Sequence, residues 1–391
     1  MLQCSIFLLI GDLLSKLLKS LFLNKALFKA TRMTRAGNLM DVSKLIQRTL
    51  LRSVASPLFK PAPAVKRSKG PAAKMPRAAN DALVDAPSRR QPGPAQRTRE
   101  SPTFAEKTFT FSGERYPYRL FTPSTPQGSD ASSLAPMPLV VLLHGCKQNA
   151  QDFARGTAMN ALAEKHQCMV LYPEQIAKAN SQRCWNWFER GHQRLDTGEP
   201  GMIAALTRQV LSTSYDGRLA DPTRVYVAGL SAGGAMAAVV AGLYPDIFAA
   251  VGVHSGLPAG AARNLVSAFG AMQRGAKGLA PPALPTIVFH GSADKTVHPD
   301  NGAYISDAAL AALTASGLSL VKSSSKLGAA NQSSTERIVY RTADGPSYVE
   351  YWRVNNGPHA WSGGDAAGSY TDPDGPSASA AMLAFFLQHK R

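Results

Sequence analysis

Short, almost uncharged apolar runs alternate with segments of helical periodicity from Thr103 onward. A strand buried on both faces has this uniformly apolar composition, and strand–helix alternation is typical of a parallel sheet covered by helices. We therefore predict one α/β domain over residues 103–391, with a mostly parallel sheet and helices on both faces. The runs are MPLVVLLHG, CMVLYPE, RVYVAGLS, FAAVGVHSG and PTIVFHG.

Two segments of alternating character flank this region and predict hairpins. The first is expected to form two edge strands before the parallel sheet, and the second a pair of strands near the end of the chain. One helix follows MPLVVLLHG and another closes the domain. These four segments are KTFTFSGERYPYRLFTP, IVYRTADGPSYVEYWRV, ARGTAMNALAEKHQ and SASAAMLAFFLQH.

The first hundred residues differ in composition from the rest. Residues 1–52 show apolar residues at three- and four-residue spacing with lysines between them, which predicts an amphipathic helical segment. Residues 53–102 are rich in Pro, Ala, Lys and Arg, and so few apolar residues cannot offset the entropy of ordering, which predicts a disordered linker. The opening residues lack a basic start and a cleavage site, and therefore fit an amphipathic helix better than a signal peptide.

The positive charge of the chain is concentrated in that N-terminal segment. Residues 1–100 hold 19 Lys and Arg against 5 Asp and Glu, whereas residues 101–391 hold 24 against 21. A nearly neutral domain is not expected to bind nucleic acid, but the basic segment could contact phosphate or a membrane surface. The alternative is a solvated linker without a partner. The sequence has no metal-ligand spacing and no apolar stretch of the length that a transmembrane helix needs.

The strongest local signal is the run GLSAGG around Ser231, between the strand RVYVA and the helix AMAAVVAGL. A sharp strand–turn–helix connection needs small residues two positions before and after its central serine, because strand and helix approach closely there. Ser231 is therefore the candidate nucleophile. The alternative is a glycine-rich turn that contains an incidental serine.

A serine hydroxyl needs a base, and the base needs an orienting group. Asp294 follows the strand PTIVFHG and His359 follows the strand VEYWRV, so both are expected at the carboxyl edge of the sheet, where catalytic groups gather. They also follow Ser231 in the order serine, acid, histidine. His298, four residues after Asp294, remains the rival base; His144, His254 and His290 fit less well by position or order.

The tetrahedral intermediate that an attacking serine forms needs two N–H donors directed at the developing oxyanion. The backbone N–H of Ala232 follows the nucleophile and is the first candidate. The second is the backbone N–H of Cys146, in the turn after the first buried strand. No metal or organic cofactor is implied by this chemistry.

At these residues the sequence resembles the polyhydroxybutyrate (PHB) depolymerase family of esterases, a branch of the α/β-hydrolases. The resemblance implies an α/β-hydrolase fold, with nucleophile, acid and base at Ser231, Asp294 and His359. It also implies cleavage of polyhydroxyalkanoate esters, or of feruloyl or acetyl esters in some relatives, and often secretion. It rests on LLHGCKQNAQDFA, LYPEQ, CWNWF, VYVAGLSAGGAMA, VGVHSGLPAGAA, FHGSADKTVHPDNG and NNGPHAWSGG.

The segment CWNWF carries two further hypotheses. Trp185 and Trp187, together with Trp361 beside the predicted base, are expected to form an apolar wall that contacts the substrate; the alternative is packing on the sheet edge. Cys146 and Cys184 are expected to form a disulfide, because both are predicted to lie near Ser231. The alternative is that both thiols stay free.

The sequence thus predicts a serine esterase whose substrate is PHB or its oligomers. A feruloyl or acetylxylan esterase is the alternative within the family. A protein of a different class, which binds a granule or surface without catalysis, would be favoured if one of the three catalytic residues were absent.

Overall fold

A computed structural model describes residues 101–126, 134–215, 217–327 and 335–391. The predictions of amphipathic helices in residues 1–52 and of a linker in residues 53–102 lie outside these ranges, except for the last two linker positions.

Ten strands form one sheet in the order β1-β2-β4-β3-β5-β6-β7-β10-β9-β8. The central strands β3, β4, β6 and β7 are wholly buried, and β5 is buried from Val225 onward, as their apolar sequences predict. The strands are β1 (Thr103–Phe111), β2 (Glu114–Thr122), β3 (Met137–Leu143), β4 (Met169–Pro173), β5 (Ala220–Leu230), β6 (Ala250–His254), β7 (Thr286–Gly291), β8 (Val321–Leu327), β9 (Thr335–Arg341) and β10 (Ser347–Val354). Two short strands, β11 (Trp361–Ser362) and β12 (Thr371–Asp372), pair separately.

The sheet is parallel from β4 to β10 and antiparallel at both ends. The predicted hairpins are β1–β2 and β9–β10. Of the first pair only β1 lies at an edge, because β2 also pairs with β4. The opposite edge is β8, an exposed strand of the sequence VKSSSKL that the apolar pattern gave no reason to predict.

Helices cover both faces of this sheet, which confirms the predicted fold class. One face packs against α1, α2 and α7, and the other against α3, α4 and α5, with alternate residues of the central strands directed to each. The helices are α1 (Ala150–Thr157), α2 (Met159–His166), α3 (Gly198–Ser212), α4 (Ala232–Leu243), α5 (Leu265–Arg274), α6 (Asp300–Ala315) and α7 (Ala378–Phe386). No helix among the described residues combines the length and the apolar character that crossing a membrane requires.

The segment ARGTAMNALAEKHQ forms two helices where the periodicity predicts one. Ala158 ends α1 with a left-handed φ of 50°, and α2 begins at the next residue. Helical spacing continues across this break, so the apolar pattern does not reveal it. Helices α5 and α6 are likewise additions to the elements that the sequence predicts.

Candidate active site

Ser231 lies on the sharp turn between β5 and α4. Its φ of 57° and ψ of −119° are unusual for a residue with a side chain, and such strain is found where a surrounding structure fixes the backbone. The Ser231 N–H donates to the carbonyl of His254 at 2.9 Å, and the Ser231 carbonyl accepts from Ala235 at 2.9 Å. The turn is therefore held by the neighbouring strand on one side and by the helix on the other.

Two glycines make this turn possible. A Cβ on Gly229 would lie 2.4 Å from the carbonyl carbon of Gly233, and a Cβ on Gly233 would lie 2.1 Å from the carbonyl oxygen of Leu143. Both distances are far below van der Waals contact, so β5, α4 and the end of β3 meet backbone to backbone. This explains the small residues on either side of Ser231.

His359 bridges Ser231 and Asp294. Its Nε2 lies 2.9 Å from the Ser231 Oγ, and its Nδ1 lies 2.7 Å from Asp294 Oδ2. A carboxylate accepts the Nδ1–H, so Nε2 is the unprotonated nitrogen that accepts the serine hydroxyl. The structure thus brings the three predicted residues together in the order needed for nucleophilic catalysis.

Backbone contacts hold the acid and base loops against each other. The Ala293 N–H donates to the Gly357 carbonyl at 3.1 Å, and the Ser292 N–H donates to the Val354 carbonyl at 2.8 Å. These bonds join the end of β7 to the end of β10. Because the loops are joined on the chain itself, the distance between Asp294 and His359 does not depend on their side chains alone.

Asp294 is stabilised in its charged form. Burial alone would raise its pKa, but hydrogen bonding from His290 and His359 and from the backbone N–H of Val297 together holds the pKa well below its usual range. Its Oδ1 accepts from the N–H groups of Thr296 and Val297, each at 2.9 Å. The carboxylate therefore remains ionised and oriented toward His359.

The other histidines near the sheet edge have different partners. His298, the rival base, has Nδ1 at 3.3 Å from the Asp300 N–H, from which it accepts. His144 and His254 are buried, and burial lowers the pKa of His144 to about 4 and, with the nearby His290 and His359, that of His254 to about 3. Both rings are therefore neutral, and the Nε2 atom of each accepts from a backbone N–H, His144 from Gln175 at 3.1 Å and His254 from Ser362 at 3.0 Å.

The turn after β3 presents the second candidate oxyanion donor. Its N–H groups at Gly145, Lys147 and Gln148 have acceptors in the Gln148 side chain, Gln182 and Gly145. Among the described residues the Cys146 N–H has none. Ala232 is the first residue of α4, where a helix N–H lacks an intrahelical acceptor. Both predicted donors are therefore free.

The three predicted substrate-contacting tryptophans are buried. Trp185 is 0% exposed, Trp187 3% and Trp361 1%, so an apolar substrate has no indole surface to contact in this structure. Trp185 instead donates from Nε1 to the His144 carbonyl at 3.0 Å, and Trp361 donates to Ser379 Oγ at 3.0 Å. Their burial agrees better with packing against the sheet than with an apolar wall that contacts the substrate.

Cys146 and Cys184 are joined, with their sulfur atoms 2.07 Å apart. The Lys147 N–H also donates to the Gln182 carbonyl at 2.7 Å. The turn of residues 144–148, which carries the candidate oxyanion donor (the oxyanion turn), is thereby joined to the segment that carries CWNWF. Cys168 is a free, buried thiol, and burial raises its pKa to about 12.

Several buried polar residues near the site escaped the sequence analysis. Gln148 accepts from the Gly145 N–H at 2.9 Å and donates to the Ser369 carbonyl at 2.9 Å, and so links the oxyanion turn to the loop after His359. Glu199 and Gln175 form a second set of contacts, described below. A lone Gln or Glu in a sequence gives no sign that it will be buried, so only the fold reveals these residues.

Comparison with known proteins identifies the family of this chain. The family model described as "Esterase PHB depolymerase" matches residues 118–328, more than half of the chain. The chain belongs to the PHB depolymerase family of esterases. The matched range runs from the middle of β2 to the end of β8 and includes Ser231 and Asp294, whereas His359 lies beyond it.

Two curated relatives of this chain carry different named activities. Poly(3-hydroxyalkanoate) depolymerase C of Paucimonas lemoignei is 36% identical over 191 residues, 45% of this chain and 44% of that protein. A probable acetylxylan esterase A of Aspergillus fumigatus is 31% identical over 192 residues, 44% of this chain and 50% of that protein. The chain thus spans half or less of the length of these relatives.

A solved structure supports the fold. The acetyl xylan esterase from Aspergillus awamori superposes with a TM-score of 0.50 at 20% sequence identity, covering 65% of this chain and 94% of that one. With the sheet order above, this establishes the α/β-hydrolase fold that the sequence predicts.

Proposed function

We propose that this protein is a serine esterase that hydrolyses carboxylic esters through an acyl-enzyme on Ser231. The observation that carries the proposal is the bridge formed by His359, with Ser231 Oγ at 2.9 Å on one nitrogen and Asp294 at 2.7 Å on the other. The family membership supports the same reaction type.

In the proposed first half-reaction Ser231 Oγ attacks the ester carbonyl carbon while His359 Nε2 takes its proton. Charge develops on the carbonyl oxygen, which the N–H groups of Ala232 and Cys146 stabilise. The carbon–oxygen bond to the alcohol then breaks, and His359 returns the proton to the leaving oxygen. Asp294 orients the imidazole and stabilises its transient positive charge.

Water completes the cycle in the second half-reaction. His359 takes a proton from the water, whose oxygen attacks the acyl carbon, and the second tetrahedral intermediate uses the same two N–H donors. The bond to Ser231 Oγ breaks, the proton passes to that oxygen, and the acid leaves. The enzyme returns to its starting state with no cofactor consumed.

For the substrate we propose a polyhydroxyalkanoate ester, namely PHB or its oligomers. The support is the family itself and the 36% identity to a protein named as a poly(3-hydroxyalkanoate) depolymerase. An acetylxylan or feruloyl ester is the second candidate, favoured by the acetylxylan esterase relative at 31% identity. The basic segment within residues 1–100, with 19 basic and 5 acidic residues, suits contact with a granule or other anionic surface.

Product analysis on four substrates tests the proposal. Purified full-length protein is given hydroxybutyrate oligomers, amorphous PHB, a feruloyl ester and acetylated xylan, and released acids are separated by chromatography. We expect hydroxybutyrate products at the highest kcat/KM. Turnover of acetylated xylan alone would favour the second candidate. A generic p-nitrophenyl ester and a fluorophosphonate label test the reaction type itself, and failure of both turnover and labelling would refute the esterase.

A further inference from the structure

One buried carboxylate near the site has no part in the proposed reaction. Glu199 lies in the first turn of α3 and is 2% exposed. Its Oε2 accepts from the backbone N–H of Asn186 at 2.6 Å. Its Oε1 accepts from the Asn186 Nδ2 at 2.7 Å and from the Gln175 Nε2 at 2.5 Å.

These contacts call for a carboxylate rather than for any polar group. Three N–H donors meet two oxygens, and a carboxamide in the same place would direct its own NH₂ group at one of them. Among the described residues the basic side chain in ion-pair range of Glu199 is His192, whose Nδ1 lies 3.3 Å from Oε2. The amide donors and the N-terminal end of α3 also stabilise the negative charge of the Glu199 carboxylate.

Gln175 connects this carboxylate to the oxyanion turn. Its backbone N–H donates to His144 Nε2 at 3.1 Å, and its side chain donates to the Cys184 carbonyl at 3.0 Å as well as to Glu199. His144 in turn lies two residues before Cys146. Gln175 therefore contacts both of the segments that the disulfide joins, one through His144 and the other through Cys184.

Asn186 provides a second connection. It follows Trp185, whose Nε1–H donates to the His144 carbonyl at 3.0 Å, and Trp185 follows Cys184, which is bonded to Cys146. Glu199 accepts from both the backbone and the side chain of Asn186. It therefore fixes the segment that is joined to the turn by the Trp185 hydrogen bond and by the disulfide of Cys184. Both routes from Glu199 end at the turn that carries the free N–H of Cys146.

We infer that Glu199 is a positioning residue for catalysis, a buried carboxylate that sets the direction of the Cys146 N–H through Gln175 and Asn186. This inference rests on the proposed function, because it assigns Glu199 a part in stabilising the oxyanion of that reaction. Glu199 touches neither the substrate nor Ser231 in this role. It acts through the turn alone, and its loss should weaken the transition state without weakening ground-state binding.

The test is Glu199→Gln in the full chain. Since removal of one oxyanion donor costs about 10²–10³ in kcat, and a misplacement near 1 Å costs about 10², we expect kcat on a p-nitrophenyl ester to fall about 10- to 100-fold. KM should change less than about two-fold. All rates are expressed per active site, counted by end-point fluorophosphonate labelling, so that loss of folded protein is not read as loss of catalysis.

A boronic acid provides a readout that a structural role alone would not change. Phenylboronic acid bonded to Ser231 becomes tetrahedral and presents an oxygen to the oxyanion donors, as the transition state does. Its affinity for Glu199→Gln should fall in proportion to kcat/KM. The matched control is Glu350→Gln, another carboxylate 2% exposed, which contacts Arg337, Ser347 and Trp352 and should leave kcat per site unchanged.

Gln175→Met provides a second variant in case Glu199→Gln folds poorly. It keeps the volume and the backbone N–H to His144 but removes the side-chain donors to Glu199 and Cys184. We expect a similar loss of kcat, and a double variant no worse than the more severe single variant, because the two residues act as one unit.

The outcomes separate this inference from the proposed function. Wild-type kcat per site and wild-type boronate affinity in either Glu199→Gln or Gln175→Met would overturn the positioning role while the esterase stands. An equal loss in Glu350→Gln would overturn it too, since the effect would then follow from burial of any carboxylate. Absence of activity in the wild type would refute the proposed function itself.

Discussion

Gly233 and Leu143 lie in backbone contact: a Cβ on Gly233 would stand 2.1 Å from the Leu143 carbonyl oxygen and 2.5 Å from that of His144. Leu143 ends β3, and the turn that follows it contains Cys146. The first turn of α4, which presents Ala232, therefore lies directly against the segment that presents the other proposed oxyanion donor. The spacing between the two N–H groups depends on the absence of one side chain.

We therefore expect Gly233→Ala to be severe. The added methyl group meets backbone atoms that cannot move aside, so the free energy of unfolding should fall by at least about 2 kcal/mol. Activity per folded molecule should fall as well. Urea unfolding and ester turnover check both, and Gly242→Ala in the same helix is the control, since the nearest atom to its Cβ is Pro282 Cδ at 4.0 Å.

Gly242→Ala should be neutral or stabilising by up to about 1 kcal/mol, because alanine favours a helix over glycine. Equal effects of the two substitutions would show that helix propensity, rather than contact with Leu143, determines the result.

The hydrogen-bonded residues Ser231, His359 and Asp294 should behave as one unit in mutagenesis. We expect Ser231→Ala, His359→Ala and the double variant to retain the same residual rate, about 10⁻³ of wild type or less, because each change disables the same nucleophile. Steady-state turnover of a p-nitrophenyl ester measures this. Stability should stay within about 1 kcal/mol for Ser231→Ala, which keeps the Cβ at the turn.

His298→Ala is the control for the base, since this histidine is partly exposed and contacts Asp300. We expect its activity to remain near that of the wild type. A greater loss in His298→Ala than in His359→Ala would contradict the assignment of His359 as the base.

Much of this site could be predicted because its signals are local. The elbow needs small residues beside Ser231, and Asp294 and His359 follow apolar strands that can be recognised by composition. Burial of Trp185 and Trp361 could not be predicted, because a tryptophan in a loop is equally compatible with contact to substrate and with packing in the core. Glu199 gave no signal, because its donors come from residues that only the folded chain brings near.

Strand β8, at one edge of the sheet, also could not be predicted from the sequence. The hairpin β9–β10 follows from alternation along the chain, but β8 is an exposed polar strand. Its place beside β9 depends on antiparallel backbone pairing rather than on an apolar face, so its composition resembles that of a loop.

Residues 1–100 should be dispensable for turnover of a soluble ester. The described domain begins with β1 at Thr103 and holds Ser231, His359 and Asp294, so a variant that starts at residue 101 should keep kcat/KM within about two-fold on a p-nitrophenyl ester. Binding to anionic vesicles or PHB granules should fall, because the basic residues are lost. Sedimentation with granules measures this, and an insoluble or inactive truncation would show that the segment belongs to the catalytic domain.

Buried histidines predict loss of stability in acid. Burial lowers the pKa of His389 to about 4, whereas an unfolded histidine titrates near 6.5. Between these values the unfolded chain binds a proton that the folded chain does not, so unfolding becomes easier as the pH falls, by up to about 1.4 kcal/mol per pH unit for this histidine.

His389→Gln should remove that share of the pH dependence. Urea unfolding at pH 7, 6, 5 and 4 gives the slope, which we expect to be shallower than in the wild type below pH 6.5. His166→Gln, at an exposed position, should keep the wild-type slope. An unchanged slope in His389→Gln would contradict the lowered pKa.

The bond between Cys146 and Cys184 should affect both stability and rate. It spans a sequence separation of 38 residues, and a loop of that size contributes about 3–4 kcal/mol in the chain-entropy account of disulfides. It also holds the turn that presents the Cys146 N–H. We therefore expect the double variant Cys146→Ser/Cys184→Ser to unfold at lower urea concentration and to lose kcat, with KM little changed.

Mass mapping of a non-reducing digest is the direct check of this bond. Peptides with Cys146 and Cys184 should appear linked in active enzyme, while the peptide with Cys168 should be alkylated only after unfolding, because that thiol is buried. Cys168→Ala is the matched control, since it removes a buried sulfur without touching the oxyanion turn, and should lose stability but keep kcat per site. Separate alkylation of Cys146 and Cys184 in air-oxidised, fully active enzyme would show that the turn holds its N–H in place without the bond.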